Sequence, residues 1–365
     1  MEHGGDIYTE GLLKGRKLLD FSSNINPLGV PDSFKRNIGE ALENVEKYPD
    51  AKYRELKGNL RQYLYFAENY FGNCRNSKVV NLEDRDIVLG NGAAEIIDLV
   101  ISCFKNICIV VPSFIEYKKD AVKWKCNINY SSLTEDMDYD YDDIKLKLQS
   151  ADALILGNPN NPNGKTIDRE RFHDIINWCD KNQRTIIIDE AFVEFTGKSG
   201  CSFLDEMKYH KCIFIVRALT KFFALPGIRM GYGLCKDEKL MDIIRSRQNP
   251  WNVNCFAETA ARYVLKDRAY MDSSLQWIES ERKFMLENLK EIPVIEKVYP
   301  TSSNFVLCKI QGMDCDEFYE MCLKKGVLIR KCSNFRGLDH RFIRLAIKDR
   351  DKNQRLMHIL GKMQL

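Results

Sequence analysis

Lys221 stands just past an apolar run, Cys212-Ile-Phe-Ile-Val216, with Thr220 before it and Arg229 eight residues on. Leu219, Phe222, Phe223, Ala224 and Leu225 surround it. An amine in apolar surroundings is partly desolvated, which lowers its pKa and favours the neutral, nucleophilic form. Such a lysine forms Schiff bases with carbonyl compounds, and the nearby arginine and hydroxyl suit a phosphate. Asp189 closes a second run, Thr185-Ile-Ile-Ile-Asp189. A carboxylate there must be paired or hydrogen-bonded, and a protonated ring nitrogen is a suitable partner. Asn158-Pro-Asn-Asn-Pro-Asn-Gly164 contains two Asn-Pro steps that fix an extended turn and offer amide side chains. Gly90-Asn-Gly-Ala-Ala94 puts small residues at a helix start, where backbone N–H groups and the helix dipole favour an anion. Phe114 follows Pro112-Ser113 and could stack on a ring. Each feature also has an ordinary alternative: a solvated lysine, a surface turn, a tight βα connection, a core phenylalanine.

These residues have in common the elements that must carry them. Residues 86–89, 107–111, 152–157, 185–189, 212–216 and 230–235 read as strands, most of them continuously apolar, and helical patterns separate them at 93–104, 115–124, 140–149 and 168–182. A strand near 127–131 and a helix running to about 247 complete the pattern. Buried strands alternating with helices predict a three-layer αβα, mainly parallel sheet covered on both faces. In such sheets ligands bind beyond the C-terminal ends of the strands, where all the residues above fall. The first 30 residues read as an arm containing a short strand at Leu18–Phe21, followed by helices at 32–45 and 53–70. Long helices at 254–266 and 268–291, then short strands (304–309, 327–330, 342–347) with helices at 314–325 and 350–362, predict a smaller α+β domain. The expected division is an arm (1–30), a large domain (31–252) and a small domain (253–365).

Bulk composition narrows the classes. The chain has 365 residues, 44% apolar and 29% charged, with a net charge of +3. It is long enough for a large core, and its balanced charge gives no reason to expect nucleic acid or an anionic membrane as partner. No apolar run approaches the ~20 residues of a membrane span. Met1-Glu-His-Gly-Gly-Asp-Ile-Tyr lacks the basic start and apolar core of a signal peptide. Thirteen cysteines, scattered and mostly within apolar runs, read as reduced buried thiols of a cytoplasmic protein. Their spacing supports no zinc site, and the five histidines are too dispersed to suggest a metal cluster, so no metal is expected.

Asn-Pro-Asn-Asn-Pro-Asn-Gly, Asp-Glu-Ala-Phe and Leu-Thr-Lys-Phe-Phe-Ala-Leu-Pro-Gly-Ile-Arg-Met-Gly-Tyr occur in this order over nearly the whole chain. The ordered set resembles the class I/II aminotransferase superfamily, whose architecture is pyridoxal 5'-phosphate fold type I. The resemblance implies that Lys221 holds the cofactor aldehyde and moves protons, and that Asp189 pairs with the pyridinium nitrogen. Asn161 bonds the phenolic oxygen and Phe114 stacks on the ring. Thr220, Arg229 and the amides of Gly92, Ala93 and Ala94 hold the phosphate. Tyr48 reaches the cofactor phosphate of a partner subunit, which implies a homodimer with shared active sites. Arg344, in Phe342-Ile-Arg-Leu-Ala-Ile-Lys348, takes the substrate carboxylate in a bidentate fork. Two positions depart from the pattern: Phe192 where many relatives have tyrosine, and Ala218 where many have serine.

Within the superfamily, His3-Gly-Gly5, Leu19-Asp-Phe-Ser-Ser-Asn-Ile-Asn-Pro-Leu-Gly29, Phe192 and Ile329-Arg-Lys-Cys-Ser-Asn-Phe-Arg-Gly-Leu338 resemble the threonine-phosphate decarboxylase branch of cobalamin biosynthesis. Histidinol-phosphate aminotransferases are the near relatives. The resemblance implies decarboxylation of O-phospho-L-threonine to (R)-1-amino-2-propanol O-2-phosphate. O-Phospho-L-serine is an alternative substrate, since one methyl discriminates weakly. Candidates for the substrate phosphate are His3, Gly4, Gly5, Arg330 and Arg336, with Arg330 foremost.

Overall fold

Four runs dictate the architecture: residues 106–111, 153–157, 185–189 and 213–218 leave few polar side chains for solvent on either face, so helices must cover both. In the computed structural model, which describes residues 4–71, 80–197 and 200–363, they form the middle of one sheet. The N-terminal segment holds β1 (Leu19–Asp20). The sheet consists of β2 (Ile87–Asn91), β3 (Asn106–Val111), β4 (Asn127–Ser132), β5 (Ala153–Gly157), β6 (Thr185–Asp189), β7 (Ile213–Ala218) and β8 (Met230–Cys235). Their order is β2-β8-β7-β6-β5-β3-β4, and β8 alone runs against its neighbours.

Alternation along each strand builds two cores. Ile186, Ile188, Leu154, Leu156, Ile213 and Ile215 face one layer, while Ile187, Ala153, Ile155, Phe214 and Val216 face the other. The second layer is closed by Ile96, Ile97 and Val100 of the helix Ala93–Ile101, Tyr117 and Ala121 of Ile115–Lys123, and Leu240, Met241 and Ile244 of Glu238–Arg247. The first is closed by the helices Arg54–Phe71, Tyr141–Leu148 and Arg169–Lys181 and by the last third of the chain.

That last third supplies β9 (Ile295–Val298), β10 (Phe305–Ile310), β11 (Val327–Leu328), β12 (Arg330–Lys331) and β13 (Phe342–Ala346). Four of them form a small antiparallel sheet, β12-β13-β10-β9, while β11 pairs in parallel with β1. The N-terminal segment is thereby stitched to the C-terminal part: Phe21 N–H donates to the Leu328 carbonyl at 2.7 Å, and Ala346 N–H to the Phe21 carbonyl at 2.8 Å.

The three-layer α/β sheet expected from the sequence is present. Two details differ. The single helix expected over 32–45 is two short ones, Asp32–Lys35 and Ile38–Glu43, because the Asn37 side-chain amide donates to the Ser33 carbonyl (2.8 Å) and competes with the helical ladder. β9 was not expected: it is a short edge strand whose two middle residues, Glu296 and Lys297, are exposed. The described cysteines are all free. The histidines, by contrast, are less dispersed than the sequence suggests, since folding brings the rings of His173 and His210 within 6.0 Å.

Candidate active site

The parallel strands end together, and a cavity opens there. Asp189, Lys221, Thr220, Arg229, Asn161, Phe114, Ala93, Ala94, Arg330, Arg344 and Gly4 all line it. Lys221 lies three residues beyond β7 and is half-buried, with the Phe192 ring centroid 5.9 Å from its Nζ. Its amine is pushed down to about 8, mainly by burial and further by Arg344, Lys348 and Arg229, while Asp189 opposes the shift. The loop that carries it is tied to the N-terminal segment. Asn26 N–H donates to the Lys221 carbonyl (3.2 Å), and the Asn26 amide donates to Phe222 O and Ser274 Oγ, both at 2.8 Å.

Asp189 and Glu190 are adjacent carboxylates with opposite fates. Asp189 faces the cavity, whereas Glu190 turns into the core and pairs with Arg217 at 2.8 Å. Burial raises the Asp189 pKa, and two donors hold it back: the Tyr117 hydroxyl at 2.6 Å and the Ala191 N–H at 3.0 Å. Tyr117 escaped the sequence reading. The available signal was its position three residues after Phe114, one helical turn away, and the two rings meet edge to face at 5.7 Å.

The asparagine-rich loop divides its labour. Asn158 donates to Cys201 O (2.7 Å), Asn160 to Pro112 O (2.9 Å) and Asn163 to Met137 O (2.8 Å), so these three fix the loop. Asn161 is left to line the cavity, where its Oδ1 accepts a hydrogen bond from Arg344 Nη1.

At the start of the helix Ala93–Ile101, the N–H groups of Ala93 and Ala94 fall in the first turn, where no intrahelical acceptor exists. The Gly92 N–H instead bends back to the Gly90 carbonyl at 2.8 Å, so Gly92 serves by its shape rather than as a donor. Its φ is +85°, and a Cβ there would come within 2.4 Å of Arg229 Nη2. Arg229 itself sits at φ +61°, with Nη2 3.4 Å from the Asn91 carbonyl. These features form a cationic cradle at a helix N-terminus, a natural phosphate site.

Across the cavity, Arg330 of β12 and Arg344 of β13 are register partners, only 3% and 6% exposed. Arg344 Nη2 donates to the Ser22 carbonyl at 2.9 Å, and its buried Nε has no partner in the protein. Burial and the neighbouring Arg330 lower the Arg344 pKa to about 10. Arg330 donates to Lys331 O (2.6 Å) and Asn334 Oδ1 (2.8 Å). Gly4 lies over this wall, where a Cβ would meet the Ser22 carbonyl at 2.0 Å.

Not every expected residue is at the cavity. Gly5 is not in the lining, and its N–H donates to Ser22 Oγ at 2.7 Å. Arg336 is exposed, stacked 3.9 Å over the Tyr130 ring, and lines a neighbouring cavity. Tyr48 is 81% exposed, packs on Trp251 at 4.6 Å and lies away from Lys221. His3 lies outside the described residues. Ala218 and Phe192 both line the cavity, and Phe192 packs edge to face on Phe305 at 5.1 Å.

A half-buried lysine with a lowered pKa, a strand-end carboxylate and a phosphate cradle on this sheet define a pyridoxal phosphate enzyme of fold type I. The description "Aminotransferase class I and II" matches residues 16–360, and the chain belongs to that family. Its cofactor is pyridoxal 5'-phosphate, and the cradle at Gly92, with Asp189 and Lys221 in the same cavity, fits that group. Threonine-phosphate decarboxylase of Salmonella typhimurium is 34% identical over 365 residues, 98% of this chain and 95% of that protein. A protein of Caldanaerobacter subterraneus subsp. tengcongensis that bears the same name provisionally is 40% identical over 367 residues, 98% of this chain and 93% of that one. The crystal structure of histidinol-phosphate aminotransferase from Clostridium acetobutylicum matches with a TM-score of 0.87 and 46% identity, covering 93% of this chain and 97% of that one. The expected fold, family and cofactor are borne out, while the relatives' names divide between decarboxylation and amino transfer. No helix among the described residues is long and apolar enough to cross a membrane.

Proposed function

We propose that this enzyme decarboxylates O-phospho-L-threonine, giving 1-amino-2-propanol phosphate and CO2. The observation that carries the reading is the buried pair Arg330 and Arg344, facing each other from adjacent strands. Like charges directly opposite on a sheet repel, and burying them adds a desolvation cost. A ligand bearing two anionic groups offsets both, and a phosphorylated amino acid carries a carboxylate and a phosphate. Arg344, with its orphan Nε and its link to Asn161, takes the carboxylate; Arg330 takes the phosphate.

Pyridoxal phosphate, when bound, supplies a protonated ring that accepts electrons from a bond at the substrate Cα. Lys221 would hold its aldehyde, Asp189 its ring nitrogen, Phe114 its face, and Ala93, Ala94, Thr220 and Arg229 its phosphate. Tyr117 and Ala191 donate to Asp189 and so favour its charged form against burial, and in that form it would hold a proton on its partner nitrogen. The Lys221 amine, pushed down to about 8, exchanges a proton near neutral pH and so can return one to Cα after CO2 leaves. Asn161 and Arg344 fix the carboxylate, and that orientation selects the bond that breaks. Tyr48, exposed on this chain, is assigned to the active site of a second copy.

Amino transfer from histidinol phosphate is the second reading, favoured by the 46% identity to the Clostridium enzyme. The test is product identity. Holoenzyme given O-phospho-L-threonine should yield the amino alcohol phosphate by NMR, and Lys221→Ala should yield none. A 2-oxo acid product refutes the reading.

A further inference from the structure

Two histidines far apart in sequence meet at the end of the sheet remote from Lys221. His173 lies in the helix Arg169–Lys181, which leads into β6, and His210 follows the turn Asp205–Lys208, which leads into β7. With Glu206 they form a group whose ligating atoms all lie within 4.8 Å of one another. We propose that His173, Glu206 and His210 form a structural site for a divalent transition metal, best suited to zinc, that clamps this helix to this turn.

Contacts around the group orient it for that purpose. His210 Nδ1 lies 3.4 Å from Asp180 Oδ2, which directs Nε2 towards Glu206 Oε2 at 3.9 Å. That gap is too long for a hydrogen bond. It is close to the spacing of two ligands on one ion, since bonds of about 2.0–2.1 Å place tetrahedral neighbours roughly 3.3–3.4 Å apart. A carboxylate on the far nitrogen is the usual support of a metal-bound imidazole. Glu206 is held from behind, its Oε1 3.0 Å from Arg169 Nη2, while Asp205 at 2.8 Å meets the arginine's charge. Oε2 is thus the oxygen presented to an ion. Two imidazoles and one carboxylate suit zinc better than calcium or magnesium, which favour oxygen ligands throughout. His173 is exposed, so an ion can enter and water can take the fourth position.

The experiment is a zinc titration of chelator-treated, cofactor-saturated enzyme, followed by calorimetry and thermal unfolding. The chain has 13 cysteines that can also take zinc, so the comparison among variants is what reads the site. Wild type should bind one zinc per chain at its tightest site and gain thermal stability. His173→Ala, an exposed substitution that spares the fold, should weaken that binding at least tenfold and abolish the gain. Asp180→Asn should weaken it about tenfold, as supporting residues do. Turnover should be unchanged in both. The proposal is overturned if wild type binds no zinc, or if His173→Ala retains wild-type affinity.

Discussion

Arg330 and Arg344 stand directly opposite each other on β12 and β13, both buried in the wall of the cavity that holds Lys221. The antiparallel register puts their side chains on one face, and in the proposed reading the pair receives the two anionic groups of the substrate. Replacing Arg330 with glutamine keeps much of the volume and removes one charge. A hydrogen bond to a charged group contributes about 1.5–3 kcal/mol, so kcat/KM for O-phospho-L-threonine should fall roughly 10- to 100-fold, chiefly through KM. Steady-state kinetics over a substrate series check this, and an unchanged KM would place the phosphate elsewhere.

The amine of Lys221, held at about 8, is protonated below that pH and neutral above it. The apoenzyme should therefore capture pyridoxal phosphate faster as pH rises, with the rate levelling above about 8. An ordinary lysine would go on gaining up to about 10.4. Arg344→Gln removes one of the charges that depress this amine and should move the midpoint upward. Stopped-flow absorbance across pH measures both midpoints.

Gly92→Ala tests the phosphate cradle. A methyl there would collide with Arg229, and φ +85° strains any other residue. The variant should lose about 1 kcal/mol or more of stability, and the dissociation constant of the cofactor should rise at least several-fold. Thermal unfolding of the apo form and equilibrium binding of the cofactor separate the two effects.

Tyr117→Phe removes a donor that holds the Asp189 pKa down. The carboxyl should then protonate at higher pH and release its ring nitrogen sooner. Cofactor affinity should fall in the variant, and the deficit should widen as pH drops. A pH-independent deficit would mean that the hydroxyl matters for packing alone.

Lys221, Asp189 and Asn161 were legible because strand ends and turn residues fix where a backbone delivers a side chain. The large sheet was legible for a related reason: isoleucine runs such as 186–188 admit burial on both faces. What escaped depends on contacts between distant segments. Nothing local says that Arg344 reaches Asn161, that Ser22 offers it a carbonyl, or that Asn26 ties the N-terminal segment to the Lys221 loop. Gly92 was expected as an amide donor, yet its own N–H is spent on Gly90, and its value lies in the space left for Arg229. Arg336 shares a short segment with Arg330, but the turn after β12 carries it out over Tyr130.

The most direct test supplies holoenzyme with carboxyl-labelled O-phospho-L-threonine and counts released CO2, beside a parallel reaction containing histidinol phosphate and 2-oxoglutarate assayed for glutamate. The proposed decarboxylation predicts label released as CO2, with no glutamate formed in the second reaction. Glutamate without CO2 would contradict the account, making this an aminotransferase in which Arg330 and Arg344 receive the two anions of a different substrate.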